Sequence, residues 1–159
     1  MAAGKSTIGK RLARDLGLPF VDTDAEIAAA YGPLEDIFAR EGEGSFRAYE
    51  RDVVEAALRG EPKVISLGGG AITHAPTRAL LEAHALRVFI EAPLRTILAR
   101  VRRSKTRRPM LGEQPTMRRV RELFALREPY YREAEIVVDG RGTAGKVASA
   151  IALALARCL

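Results

Sequence analysis

The chain is poor in the side chains that build metal clusters and covalent frameworks. Its 159 residues hold one cysteine and two histidines. A single thiol, Cys158, excludes an internal disulfide framework and any multi-cysteine metal site. His74 and His84 are too few for a histidine-rich metal cluster, and none of these three residues is given a role. No apolar run approaches the ~20 residues of a membrane span. The opening Met1-Ala2-Ala3-Gly4-Lys5-Ser6-Thr7 carries no charged-then-apolar leader. The reducing cytoplasm is therefore the expected compartment, and no membrane partner is expected. Linkers, repeats and low-complexity tracts are absent too. The length suits one domain of the usual ~100–200 residues, so 1–159 is read as a single domain.

What is present is an ordinary globular composition, 47% hydrophobic and 29% charged, with a net charge of +6. That charge is concentrated. Residues 95–132 carry 12 basic and three acidic side chains, so this stretch alone is +9 and the remainder is −3. A polyphosphate ligand, a nucleic acid or an anionic surface could account for it. Only Phe124, Tyr130 and Tyr131 interrupt it as aromatics, too few for a base-stacking groove, so no nucleic acid is expected.

Short β-branched runs alternate with helical periodicity. Helices are expected over 5–17, 24–31, 34–41, 45–59, 76–84, 93–103, 116–128 and 143–157, and strands over 18–21, 63–67, 86–90 and 136–139. Continuous apolar strands between helices are the pattern of a parallel sheet covered on both faces, hence an α/β fold. Residues 104–115 are polar and basic, with Pro109, Gly112 and Pro115, which suits a surface loop.

Gly4-Lys5-Ser6-Thr7 at a helix start matches the end of the phosphate-binding pattern G-x-x-x-x-G-K-[ST]. The glycine lets backbone N–H groups close around phosphate oxygens, and the helix N-terminus adds a positive dipole. Lys5 can reach the outer phosphates and Ser6 can ligate Mg²⁺. The first motif glycine and the strand that feeds the loop would lie before Met1. Further on, Asp22 and Asp24 stand at a strand end, where open α/β sheets bind ligands; each could equally cap the next helix. Gly68-Gly69-Gly70 follows another strand directly, and without Cβ atoms its backbone could approach a small ring and donate N–H bonds to its hydroxyls.

Over essentially its whole length the chain resembles a shikimate kinase. The resemblance runs through Gly4-Lys5-Ser6-Thr7, Asp22-Thr23-Asp24, Ile37-Phe38, Glu41-Gly42-Glu43, Phe46-Arg47 with Glu50, Gly68-Gly69-Gly70-Ala71, Arg108-Pro109-Met110-Leu111, and Arg127 with Pro129, Tyr130 and Ala134. It implies a three-layer α/β/α P-loop kinase with a short parallel sheet in the order 2-3-1-4-5. It implies transfer of the ATP γ-phosphoryl group to the 3-hydroxyl of shikimate, by a monomer. Residue by residue, Ala3, Gly4, Lys5, Ser6, Thr7 and Arg108 would hold ATP, and Ser6 and Asp22 would hold Mg²⁺. Asp24, Arg47, Gly68, Gly69, Gly70 and Arg127 would hold shikimate, the two arginines by its carboxylate. Lys5, Asp24 and Arg108 would be catalytic, with Asp24 as base and Arg108 on a lid at about 104–115; Arg102, Arg103 and Arg107 are further phosphate or adenine candidates.

Simpler roles remain open at this point. Arg47 could be a helix-surface ion pair with Glu43 or Glu50, and Arg127 a cation near a helix C-terminus. A gluconate-kinase-like enzyme of the same fold, or a catalytically silent nucleotide-binding domain, are the alternatives for the whole chain. In the family order the absent strand 1 is central, so the chain as written is expected to leave two strand edges unpaired and to be marginally stable.

Overall fold

The computed structural model describes residues 2–104, 109–112 and 114–158. Among these, seven α-helices alternate with four short strands. Helix α1 (Lys5–Leu16) starts at Gly4, whose left-handed φ of 90° turns the chain into the helix at a cost that a Cβ would raise. Ile8, Leu12 and Ala13 form its buried stripe, and the Leu18 amide closes its end on the Ala13 carbonyl. Strand β1 (Phe20–Asp22) leads into α2 (Thr23–Tyr31). The Asp22 carboxylate caps α2 by accepting from the Asp24 and Ala25 amides at 3.1 and 3.4 Å.

Helix α3 (Leu34–Leu58) is two helices joined at a kink, because Gly42 sits at φ 79° and ψ 178°. This break is the one expected between 34–41 and 45–59. Then follow β2 (Val64–Ser66), a 3-10 turn at Ala71–Thr73, α4 (Ala75–His84), β3 (Val88–Glu91) and α5 (Leu94–Arg103). A second 3-10 turn at Pro109–Leu111 precedes α6 (Met117–Tyr131), β4 (Ile136–Asp139) and α7 (Ala144–Cys158).

The strands are shorter than their apolar runs suggested, and they form two sheets. β1 pairs with β2 in parallel, Phe20 beside Val64 and Asp22 beside Ser66. β3 pairs with β4 in parallel, Val88 beside Ile136 and Glu91 beside Asp139. β2 and β3 do not pair with each other. These are the pairs 2-3 and 4-5 of the expected order, without the strand between them. Helix α1 bridges the division: Ile8 and Leu12 share a core with Val64 of β2, with Val88, Ile136 and Val138 of the other sheet, and with Val147 and Ile151 of α7. On the other side, Ile97 and Val101 of α5 meet Val120 and Leu123 of α6, with Ala3 and Ala92. The result is helix, sheet, helix: three layers.

Part of the 104–115 segment is anchored by apolar contact, since Leu111 is buried in the α5–α6 core with Met110 against it. The Arg119 Nε donates to the Met110 carbonyl at 3.1 Å, and the Arg102 Nε to that of Pro115 at 3.2 Å. Arg107 and Arg108 lie outside the described residues.

Candidate active site

Parallel pairing places Asp22 and Ser66 side by side at the C-terminal end of the first sheet. The first turn of α1 faces the same end. The Ser6 hydroxyl donates to Asp22 Oδ2 at 2.5 Å and stands 3.4 Å from the Ser66 hydroxyl. Asp22 therefore caps α2 with one oxygen and meets the Ser6 hydroxyl with the other. Ser66 was missed in sequence, since a serine inside an apolar run carries no signal before strand register is known. Arg100 was missed as well; its Nη1 reaches the Ala2 carbonyl at 3.4 Å, which brings a cation from α5 beside the loop.

These oxygen donors suit Mg²⁺. Among the described residues no three His, Cys, Asp or Glu side chains gather as a metal cage. Mg²⁺ rarely uses one: it keeps several waters and takes one or two protein oxygens plus substrate phosphates. Ser6 and Asp22 offer that pair.

The second half of the site surrounds the glycine loop after β2. Its backbone is pinned from outside: the Gly68 amide donates to Thr23 Oγ1 at 3.0 Å, and Thr23 Oγ1 donates to the Ser66 carbonyl at 3.3 Å. The Gly68 N–H is thus spent within the protein, not offered to a ligand as the sequence suggested. The Tyr131 hydroxyl donates to the Gly69 carbonyl at 2.5 Å. The Thr73 hydroxyl donates to the Gly70 carbonyl at 2.7 Å.

The missing Cβ atoms have a different use from the expected one. A Cβ on Gly68 would stand 2.5 Å from Glu50 Oε1 and 2.7 Å from Asp24 Oδ1. One on Gly70 would stand 2.9 Å from Arg47 Cζ and closer still to Nη2. The glycines make room for the protein's own charged groups, which crowd against this loop.

Asp24 is half-buried, and the charged groups around it are buried. Arg47 is 8% exposed, Arg127 7% and Glu50 0%. Arg47 Nη1 donates to Glu50 Oε2, and Nη2 donates to Glu43 Oε1 at 3.3 Å. The ion pairs considered for Arg47 exist, but the Glu50 pair lies inside the protein rather than on a helix surface. Burial pushes the Glu50 carboxyl above its ordinary range, with Arg47 and Arg127 opposing and Asp24 adding to the rise. Glu50 Oε1 has no hydrogen-bond partner among the described residues. Leaving a buried acceptor unsatisfied costs about 1–3 kcal/mol, so the arrangement is suited to receiving a donor. The site thus collects two buried guanidinium groups from distant helices, two carboxylates and a backbone loop free of side chains. It lies at the same sheet end as the phosphate loop.

A helix N-terminus with Gly-Lys-Ser-Thr, beside a hydroxyl–carboxylate pair on a three-layer α/β frame, defines the P-loop phosphotransferases. Comparison with known proteins narrows the class. The family model described as shikimate kinase matches residues 1–156. A shikimate kinase of Nitrobacter winogradskyi is 45% identical over 142 residues, which span 89% of this chain and 66% of that protein. One of Zymomonas mobilis is 40% identical over 159 residues, 99% of this chain and 90% of that protein. The solved structure of shikimate kinase from Acinetobacter baumannii in complex with shikimate superposes with a TM-score of 0.89 at 38% identity, covering 100% of this chain and 90% of that one. The chain belongs to the shikimate kinase family.

Proposed function

We propose that this chain transfers the γ-phosphoryl group of ATP to the 3-hydroxyl of shikimate, giving shikimate 3-phosphate and ADP. The observation that carries this reading is the pair of buried arginines, Arg47 and Arg127, gathered with Asp24 and Glu50 at the glycine loop. A planar guanidinium matches a carboxylate through two parallel N–H bonds, and shikimate is a ring carboxylate with hydroxyls on the ring. Arg47 and Arg127 bind the carboxylate. Asp24 and the Gly69-Gly70 part of the loop hold the hydroxyls.

Phosphoryl transfer through a loose transition state asks mainly for alignment and charge stabilisation. The α1 N-terminus and Lys5 hold the phosphates, with Ala3, Gly4 and Thr7 in the same loop. Ser6 and Asp22 hold Mg²⁺, which supplies charge neutralisation on the phosphate oxygens when bound. Asp24 takes the proton of the 3-hydroxyl as that oxygen bonds to the γ-phosphorus. The bond from phosphorus to the bridging oxygen breaks, and ADP leaves with its electrons. By resemblance, Arg108 on a lid at about 104–115 adds charge at the transferring group. The single-domain reading of 1–159, a monomeric state and a cytoplasmic location belong to the same proposal. No helix among the described residues is long and apolar enough to cross a membrane.

A coupled assay of ADP release with shikimate, with gluconate and without acceptor tests the reading. Release that depends on shikimate alone is expected. Equal release with gluconate would favour a general polyol-acid kinase, and no acceptor dependence would remove the kinase reading.

A further inference from the structure

Tyr131 ends α6, four residues after Arg127, so the two lie on one helix face. Its hydroxyl crosses 62 residues of sequence to donate to the Gly69 carbonyl at 2.5 Å. Its ring stacks on Phe89 at 5.1 Å between centroids, with an interplanar angle of 20°, and meets Phe124 at 6.1 Å. Burial raises the pKa of the phenol, while hydrogen bonding and charge from Arg127, and charge from Arg47, oppose the rise. The hydroxyl therefore ties the end of α6, one turn beyond Arg127, to the glycine loop.

The helix has reason to need this tie. Pro129 lies inside α6, between Arg127 and Tyr131. Proline has no N–H, so the last turn lacks one helical hydrogen bond there. The turn that carries Arg127 is thus held by one helical hydrogen bond fewer, although the Arg132 amide still donates to the Glu128 carbonyl at 3.0 Å. The neighbouring Tyr130 does not supply the tie, since its ring lies under the Arg78 guanidinium at 4.6 Å.

We infer that Tyr131 is a positioning residue for acceptor binding: its hydroxyl ties the turn of α6 that follows Arg127 to the Gly68-Gly69-Gly70 loop and so holds helix and loop in one register. The carboxylate anchor and the hydroxyl-binding loop are then preorganised together. This inference rests on the reading of Arg127 and the loop as the shikimate site. Its contacts are with Gly69, Phe89 and Phe124 and not with the Gly4-Lys5-Ser6-Thr7 loop, so its loss should act on acceptor binding before chemistry.

The test is Tyr131→Phe in the full chain, which keeps the ring and its stack on Phe89 and removes only the hydroxyl. Tyr130→Phe serves as the control. KM for shikimate should rise five- to tenfold, KM for ATP should stay within twofold, and kcat should fall less than KM rises. Tyr130→Phe should match the parent. A purely structural role would lower the melting temperature and move both KM values together. The double change Tyr131→Phe with Arg127→Lys should be less than multiplicative, because both act on one unit. Parent-like KM for shikimate in Tyr131→Phe, or fully multiplicative effects, would overturn the inference while leaving the shikimate reading intact. Absence of shikimate-dependent turnover in the parent would overturn both.

Discussion

Gly70→Ala separates space from backbone conformation at the glycine loop. Gly70 has φ −107° and ψ −7°, a conformation any residue adopts, so alanine strains nothing in the chain itself. The added Cβ meets Arg47 instead, 2.9 Å from Cζ and 3.0 Å from Nη1. Ordinary van der Waals contact requires 3.4–4 Å, so the guanidinium must retreat by about 1 Å. It is the far end of a flexible side chain, which keeps the folding cost near the low end of the ~1–3 kcal/mol typical of overpacking. Function has no such tolerance. A misplacement of about 1 Å at a positioning group costs up to ~100-fold, and disturbing one partner of a desolvated charge pair costs roughly 2–5 kcal/mol. Shikimate affinity should therefore fall at least ~10-fold by calorimetry, with ADP affinity unchanged and a cooperative melt retained. A folded variant with parent affinity for shikimate would refute the crowding argument. An unfolded variant would refute the claim that the tip of Arg47 can give way.

Arg127→Ala should weaken shikimate binding at least tenfold while nucleotide binding stays nearly intact, measured by calorimetry; equal shikimate affinity in mutant and parent would remove Arg127 from the site. Arg87 binds Glu135 through its amide at 2.8 Å and through Nη2 at 2.8 Å, and holds its carboxyl down to about 2 from an ordinary 4.5. A depressed acid contributes stability that is complete above pH 4.5 and lost as pH falls toward 2. Glu135→Gln should thus lower stability at pH 7 and flatten the acid limb in urea melts; an unchanged limb would contradict the assignment. Adding about six apolar residues and a glycine ahead of Met1 supplies a strand for the division between β2 and β3. At ~1 kcal/mol net per ladder bond, three or more bonds should raise the melting temperature by ~6–12 °C; no rise would mean that the division does not accept a strand.

The α/β alternation was legible because buried parallel strands and amphipathic helices carry different periods, and each strand and helix expected has its counterpart. Strand ends were read too generously, since an apolar run continues past the last ladder bond, as at Leu18 and Leu86. The Gly-Lys-Ser-Thr helix start, Asp22 and Asp24 stood out as local patterns, whereas Arg47 and Arg127 were marked only through the family resemblance. Their neighbours did not stand out. Glu50 sits one turn from Arg47 and reads as a surface helix pair until burial is known. Thr23 lies between two named aspartates yet holds the loop with its hydroxyl. The glycine run was noticed for the right reason, lack of a Cβ, but periodicity cannot say whether a ligand or the protein fills that space. Tyr131 rather than Tyr130 reaches the loop, a choice set by helix phase relative to Arg127.

Product analysis tests the central claim most directly. Incubation of the full chain with ATP, Mg²⁺ and shikimate should yield ADP and a species one phosphoryl group heavier than shikimate, with the phosphorus placed on the 3-hydroxyl by NMR. Phosphate on another hydroxyl, or ADP formed with no phosphorylated acid, would contradict it.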